Sequence, residues 1–184
     1  MPLVLGGSSA AAAAFSVDNS CRFNDGDSAY MHYTQATPTD NKKWTFSCWF
    51  KRGNLTGVAQ HLAAVYVDGN NLCKIQIASD DSIHFYDWAG AAYTGQLQTN
   101  RLFRDVGAWY HIVCIWDSDN VTAGDRMKMY INGTEETSFA TDNNPSSGAA
   151  SIINADTRVF QLGAADGTVE FDGYIAEAVF IDGL

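Results

Sequence analysis

The feature that most limits the fold is an absence: no stretch of ten or more residues in this 184-residue chain holds a clear amphipathic helical period. Short runs rich in β-branched and aromatic residues recur instead, separated by clusters of Gly, Asn and Asp. "WTFSCWFKR" alternates strictly, with Trp44, Phe46, Cys48 and Phe50 on one face and Thr45, Ser47, Trp49 and Lys51 on the other. "LAAVYVD" and "LCKIQIA", joined by Gly69-Asn70-Asn71, predict a hairpin. "WYHIVCIWD" is apolar on both faces and predicts a central strand covered on each side. "SCRFN" and "AYMHY" flank the turn Asp25-Gly26, and "MKMYIN" turns at Asn132-Gly133 into "TEETSFA". "SIHFYDW", "RVFQLGA" and "VEFDGYIAEAVFID" complete the predicted strands, and residues 141–156 read as a surface loop. The pattern is that of one all-β sandwich or barrel spanning residues 15–184, preceded by an arm of residues 1–14.

Charge and cysteine usage narrow the function. The net charge is −10, with only 11 Lys and Arg and no basic cluster. A nucleic acid needs cationic contacts to displace its counterions, so nucleic-acid binding is excluded as a leading reading. The first 17 residues carry no charged side chain, and Gly6-Gly7-Ser8-Ser9 interrupts the opening apolar run. A secretory leader needs a basic start and an unbroken apolar core, and no run approaches membrane-spanning length. The expectation is a protein made and kept in a cytoplasm, without membrane insertion. Cys21, Cys48, Cys73 and Cys114 contain no C-x-x-C pair, which argues against zinc. An even count permits two disulfides, but four reduced thiols are the expectation in that compartment.

Several segments carry a recognisable order. "FNDGDSAYMHY" resembles the opening hairpin of laminin-G-like domains, and "WTFSCWFKRGN" resembles their next strand. "WYHIVCIWDSDN" followed by "MKMYINGTEE" resembles their Trp-x-His-Val…Tyr-x-Asn-Gly signature. "FQLGAADGTVEFDGYIAEAVFIDG" resembles their closing pattern, except that Ala176 stands where an Asp usually precedes Glu177. The resemblance implies an antiparallel β-sandwich of the concanavalin A-like jelly-roll type and is unspecific for function. "MPLVLGG", leading directly into such a domain, also resembles structural proteins of tailed bacteriophages.

Chemistry has few candidates. β-Glucan hydrolases on this architecture place Glu-x-Asp-x-x-Glu on one strand, which directs attention to Glu170, Asp172 and Glu177. In an unbroken strand Glu170 and Asp172 share a face and Glu177 points away, whereas retaining glycosidases hold their carboxyls about 5–5.5 Å apart. A bulge at Gly173 would restore the register, but the spacing from Asp172 to Glu177 is still five rather than three. No G-x-S-x-G elbow is present, and His111 matches a structural position of the resembled pattern. No enzymatic activity is therefore expected.

Binding has three candidate sites. Asp117, Asp119 and Asp125 gather in "WDSDNVTAGD", where hard oxygen ligands on one loop suit Ca²⁺ and a solvated turn explains the same residues. Tyr86, Trp88 and Tyr93 surround "DWAGAAYTG", read as a strand end running into a small-residue loop that exposes rings to a sugar. Edge packing is the competing explanation. Pro2, Leu3, Val4 and Leu5, followed by Gly6-Gly7, form an uncharged tetrad suited to assembly with a neighbouring subunit, including a homo-oligomer. The leading expectation is a non-enzymatic structural or adhesion module of a phage virion, partnered by other virion proteins and host-surface glycan. A cellular lectin-like adhesin and a β-glucan hydrolase are the alternatives.

Overall fold

The computed structural model describes residues 19–166 and 170–183. These residues form β1 (Cys21–Phe23), β2 (Met31–Thr34), β3 (Lys43–Arg52), β4 (Gln60–Asp68), β5 (Asn71–Ile77), β6 (Ser82–Ala89) and β7 (Ala92–Leu102). β8 (Tyr110–Asp117), β9 (Met127–Ile131), β10 (Thr134–Glu135), β11 (Phe139–Asn143), β12 (Val159–Leu162) and β13 (Gly173–Asp182) follow. One sheet has the order β1-β13-β3-β8-β9-β10 and the other β11-β7-β6-β5-β4-β12-β2. All pairings are antiparallel, and the sheets stack as a sandwich.

The alternation seen in "WTFSCWFKR" is what closes the core. Trp44, Phe46, Cys48 and Phe50 all point inward from β3 and are buried. Tyr110, Ile112, Cys114 and Trp116 do the same from β8. Ile75, Ile77, Ile83 and Phe85 meet them from the other sheet, where Trp44 packs edge-on to Phe85 with centroids 5.3 Å apart. Each such side chain removed from water contributes about 1.5–3 kcal/mol. The four cysteines are free thiols, with Cys21 exposed and the other three buried. No helix among the described residues is long and apolar enough to cross a membrane.

Four local expectations are corrected. β1 and β2 do not form a hairpin: β1 pairs with β13 and β2 with β12. The short 3-10 turn Asp25–Asp27, capped by the Asn24 side chain and ended by left-handed Ser28, carries the chain from one sheet to the other. "TEETSFA" is likewise divided, with β10 in the six-stranded sheet and β11 in the seven-stranded one. The segment after β11 is more than a surface loop, because Ile153 is fully buried and Asn154 donates to the carbonyls of Asp40 and Lys43 and to Asp182. β8 is central, but its outward Val113 and Ile115 are half-buried rather than covered by a further layer of described residues.

β13 carries a bulge, although not at Gly173. Ala176 pairs with Trp49 and Val179 with Ser47, so Glu177 and Ala178 share one opposing residue. Glu177 takes a φ of +49° there. The extra residue reverses the parity of the strand: Ile175 faces the core before it and Phe180 after it, stacked on Trp44 at 5.7 Å.

Candidate functional site

The outer face of the seven-stranded sheet gathers the aromatic candidates. β6 alternates Ile83, Phe85 and Asp87 inward with His84, Tyr86 and Trp88 outward. Gly90 and Ala91, with φ of +62° and +63°, turn the chain within two residues into β7. "DWAGAAYTG" is therefore a tight hairpin rather than an open loop. A register shift after Asp87 sets Tyr93 opposite Trp88. The Trp88 and Tyr93 rings meet edge to face at 4.6 Å, and Tyr86 meets Tyr93 the same way at 5.6 Å. His84 adds a fourth ring, 4.5 Å from Tyr86. Tyr93 is 43% exposed, while Tyr86 and Trp88 are half-buried.

Register extends this cluster into three rows across the sheet. One row runs Tyr66, Leu72, Trp88 and Tyr93. The next runs His32, Gln161, Ala64, Lys74, Tyr86, Gln96 and Asn143. The third holds His61, Gln76, His84, Gln98 and Thr141. Aromatic faces thus lie next to amide groups that both donate and accept. Burial holds the His84 ring below the usual histidine range, opposed by Gln96 and by the charge of Asp80, and burial pushes the Tyr86 hydroxyl up. Sequence reading found the three rings but missed β7 and with it the Gln96 and Gln98 side chains.

Asp87, between Tyr86 and Trp88, points into the core and anchors the face from behind. Its Oδ2 accepts from Ser151 Oγ at 2.8 Å and from the Ile152 amide at 2.7 Å, while Oδ1 is buried without a hydrogen-bond partner. Burial raises its pKa from 3.8 to about 6, with the Ile152 and Ser151 bonds pulling the other way. A raised folded-state value means that the stabilising contribution is complete below the unfolded value and is lost as pH rises through about 6. The charged form is disfavoured by about 3 kcal/mol. Asp87→Asn is therefore expected to gain stability relative to the parent as pH is raised from 4 to 7.5, in paired urea titrations. Parallel pH profiles for the two proteins would refute this.

The comparison with known families falls on the same fold. The family model described as concanavalin A-like lectin/glucanases superfamily (Laminin_G_3) matches residues 25–183. The chain belongs to this superfamily. A search of curated proteins found no match. Among solved structures, this superfamily domain resembles the mouse laminin α1 chain domains LG4-5, with a TM-score of 0.59 and 14% identity over 86% of this chain and 40% of that one. It also resembles a native heptameric SAP-like pentraxin from Limulus polyphemus, with a TM-score of 0.56 and 15% identity over 82% of this chain and 68% of that one. The CBM40 of Ruminococcus gnavus IT-sialidase gives a TM-score of 0.55 and 14% identity, covering 82% and 91% of the two chains.

In this concanavalin A-like domain the glucanase-type carboxylates are not arranged as a strand trio. Glu170 and Asp172 precede β13 instead of lying on it, so the shared strand face they would need does not form. Asp172 is committed to the Arg22 guanidinium. Glu177 is exposed at the bulge. His111 is tied to Ser47 Oγ at 2.9 Å and packs on Trp49.

The acidic loop is also dispersed. Asp117 faces Lys43 at 3.7 Å, Asp119 faces Lys42 at 3.6 Å, and Asp125 holds Lys128 at 2.9 Å. Three carboxylates each turned to a separate lysine do not converge as a Ca²⁺ site requires. Among the described residues no three His, Cys, Asp or Glu side chains are grouped to hold a metal. Pro2, Leu3, Val4 and Leu5, and with them the arm of residues 1–14, lie outside the described residues.

Proposed function

We propose that the outer face of the seven-stranded sheet binds glycan, and that the protein is a non-enzymatic adhesion or structural module of a phage particle. The observation that carries the glycan reading is the edge-to-face grouping of Trp88, Tyr93 and Tyr86 beside Gln96. Such a surface offers a sugar both apolar ring contact and directional hydrogen bonds. The pairing of Asp172 with Arg22 and the position of Glu177 favour binding over hydrolysis. The phage setting is supported by the resemblance of the opening "MPLVLGG" and of the domain that follows it.

Trp88→Ala and Tyr93→Ala are each expected to weaken binding on a glycan array at least tenfold while leaving the melting temperature within a few degrees. Unchanged array binding in both variants would overturn the site. Separately, the protein is expected to co-purify with intact particles at a fixed copy number. Recovery only from particle-free cell fractions would favour the cellular adhesin.

A further inference from the structure

We infer that the sugar taken by this face carries a carboxylate, held by Lys74; the inference rests on the glycan reading above. The chain has 21 Asp and Glu residues, yet none stands in the three rows that cross the face. Three of its four histidines do, and so does Lys74. In a chain of net charge −10, three rows without a carboxylate of their own depart from their surroundings, with Asp80 reaching only the third row, through Gln98 at 3.2 Å.

Lys74 stands at the middle of this face. Its strand neighbours are Ala64 on one side and Tyr86 on the other. Its ammonium lies 6.0 Å from the Tyr66 ring centroid. Lys42, Lys43 and Lys128 each reach a carboxylate within 4 Å, whereas Lys74 has no such ion pair among the described residues. Burial holds the Lys74 ammonium below the usual lysine range, opposed by the charge of Asp166, whose amide is fixed to the Gln161 side chain at 2.8 Å. A half-buried lysine with its ammonium over the Tyr66 ring, Tyr86 beside it on β6 and the amides of Gln161 and Gln96 one strand further out in the same row, matches a sugar whose ring lies on Tyr86 and whose anionic group points to Lys74. Uronic and nonulosonic acids share that chemistry.

Titration of the full chain with two matched pairs tests this: trigalacturonic acid against galactotriose, and 3′-sialyllactose against lactose, chosen after an array of neutral and carboxylated glycans. The parent is expected to bind one acidic member at least tenfold tighter than its neutral partner, and the pair that shows the preference identifies which acid is read. Lys74→Gln should erase the preference without changing the melting temperature, and Asp166→Asn should strengthen it. Preference for neutral sugars, or an acidic preference that survives Lys74→Gln, overturns the inference and leaves the glycan-binding face standing. Binding to no member of the array ends both.

Discussion

Gly173→Ala is expected to unfold the protein or to lower its stability by at least about 4 kcal/mol, beyond the range of ordinary point changes. Gly173 opens β13 and pairs on both sides, with Phe23 of β1 and Arg52 of β3. A methyl group placed there would sit 2.1 Å from the Lys51 carbonyl oxygen and 2.7 Å from the Phe171 ring. The φ of +156° adds backbone strain for any side chain. Backbone cannot yield as a flexible side-chain tip does, so relief means breaking the β13–β3 ladder. Gly69→Ala is the control, since its added carbon meets nothing within 4 Å, and it should stay within about 0.5 kcal/mol of the parent. Urea unfolding followed by near-UV circular dichroism measures both. A cooperative, parent-like transition for Gly173→Ala would show that the close approach is not there.

The second large effect is expected from Asp81→Ala. Arg52 is an inward-pointing charge on β3, 1% exposed, and its Nη1 donates to Asp81 Oδ1 and to the Phe103 carbonyl, each at 2.8 Å. Its Nε is buried without a hydrogen-bond partner, so the guanidinium has little in reserve. Removing Asp81 leaves that charge buried with only a carbonyl, which costs about 3–5 kcal/mol. Arg104 shares the same carboxylate at 2.8 Å but is largely exposed, so Arg104→Ala should cost less than about 1 kcal/mol. The double change Arg52→Met with Asp81→Asn should recover most of the loss, because it removes the charge along with its partner. Equal, small effects for Asp81→Ala and Arg104→Ala would place Arg52 in contact with water.

The elements of this fold differ in how far they can be read from the residues. The inward set of β3 was visible because Trp44, Phe46, Cys48 and Phe50 alternate without interruption. The β4–β5 hairpin was visible because Asp68, Gly69, Asn70 and Asn71 mark a turn between two apolar runs. β7 was not, and Gly95 explains why. It points inward, but Met127 and Trp116 of the opposite sheet occupy the space that a larger residue would fill. With Gly95, Leu97 and Thr99 facing in, the strand has no strong apolar alternation to find. Lacking β7, the three rings could be named but not the Gln side chains that complete the face. Sheet membership of β1 and β2 depends on partners more than 120 residues away in sequence, and no local pattern encodes it. The partners of the acidic loop were hidden for a related reason: Lys42 and Lys43, which pair with Asp119 and Asp117, lie far upstream.

The position of β13 sets a clock on the birth of the molecule. It lies between β1 and β3, so among the described residues the first strand to be made has the last one as its partner in the sheet. β3 likewise keeps one edge open until β13 emerges, and Phe180 arrives with it to cover Trp44. A ribosome feeding out this chain must hold most of the sandwich in waiting, with the Trp44 side of the core uncovered, until residues 173–182 clear the exit tunnel. Closing a loop of about 150 residues is slow by the standards of small domains. Until then a nascent chain carries an open sheet edge, and pairing between neighbouring chains on one message is the hazard that this order of synthesis creates.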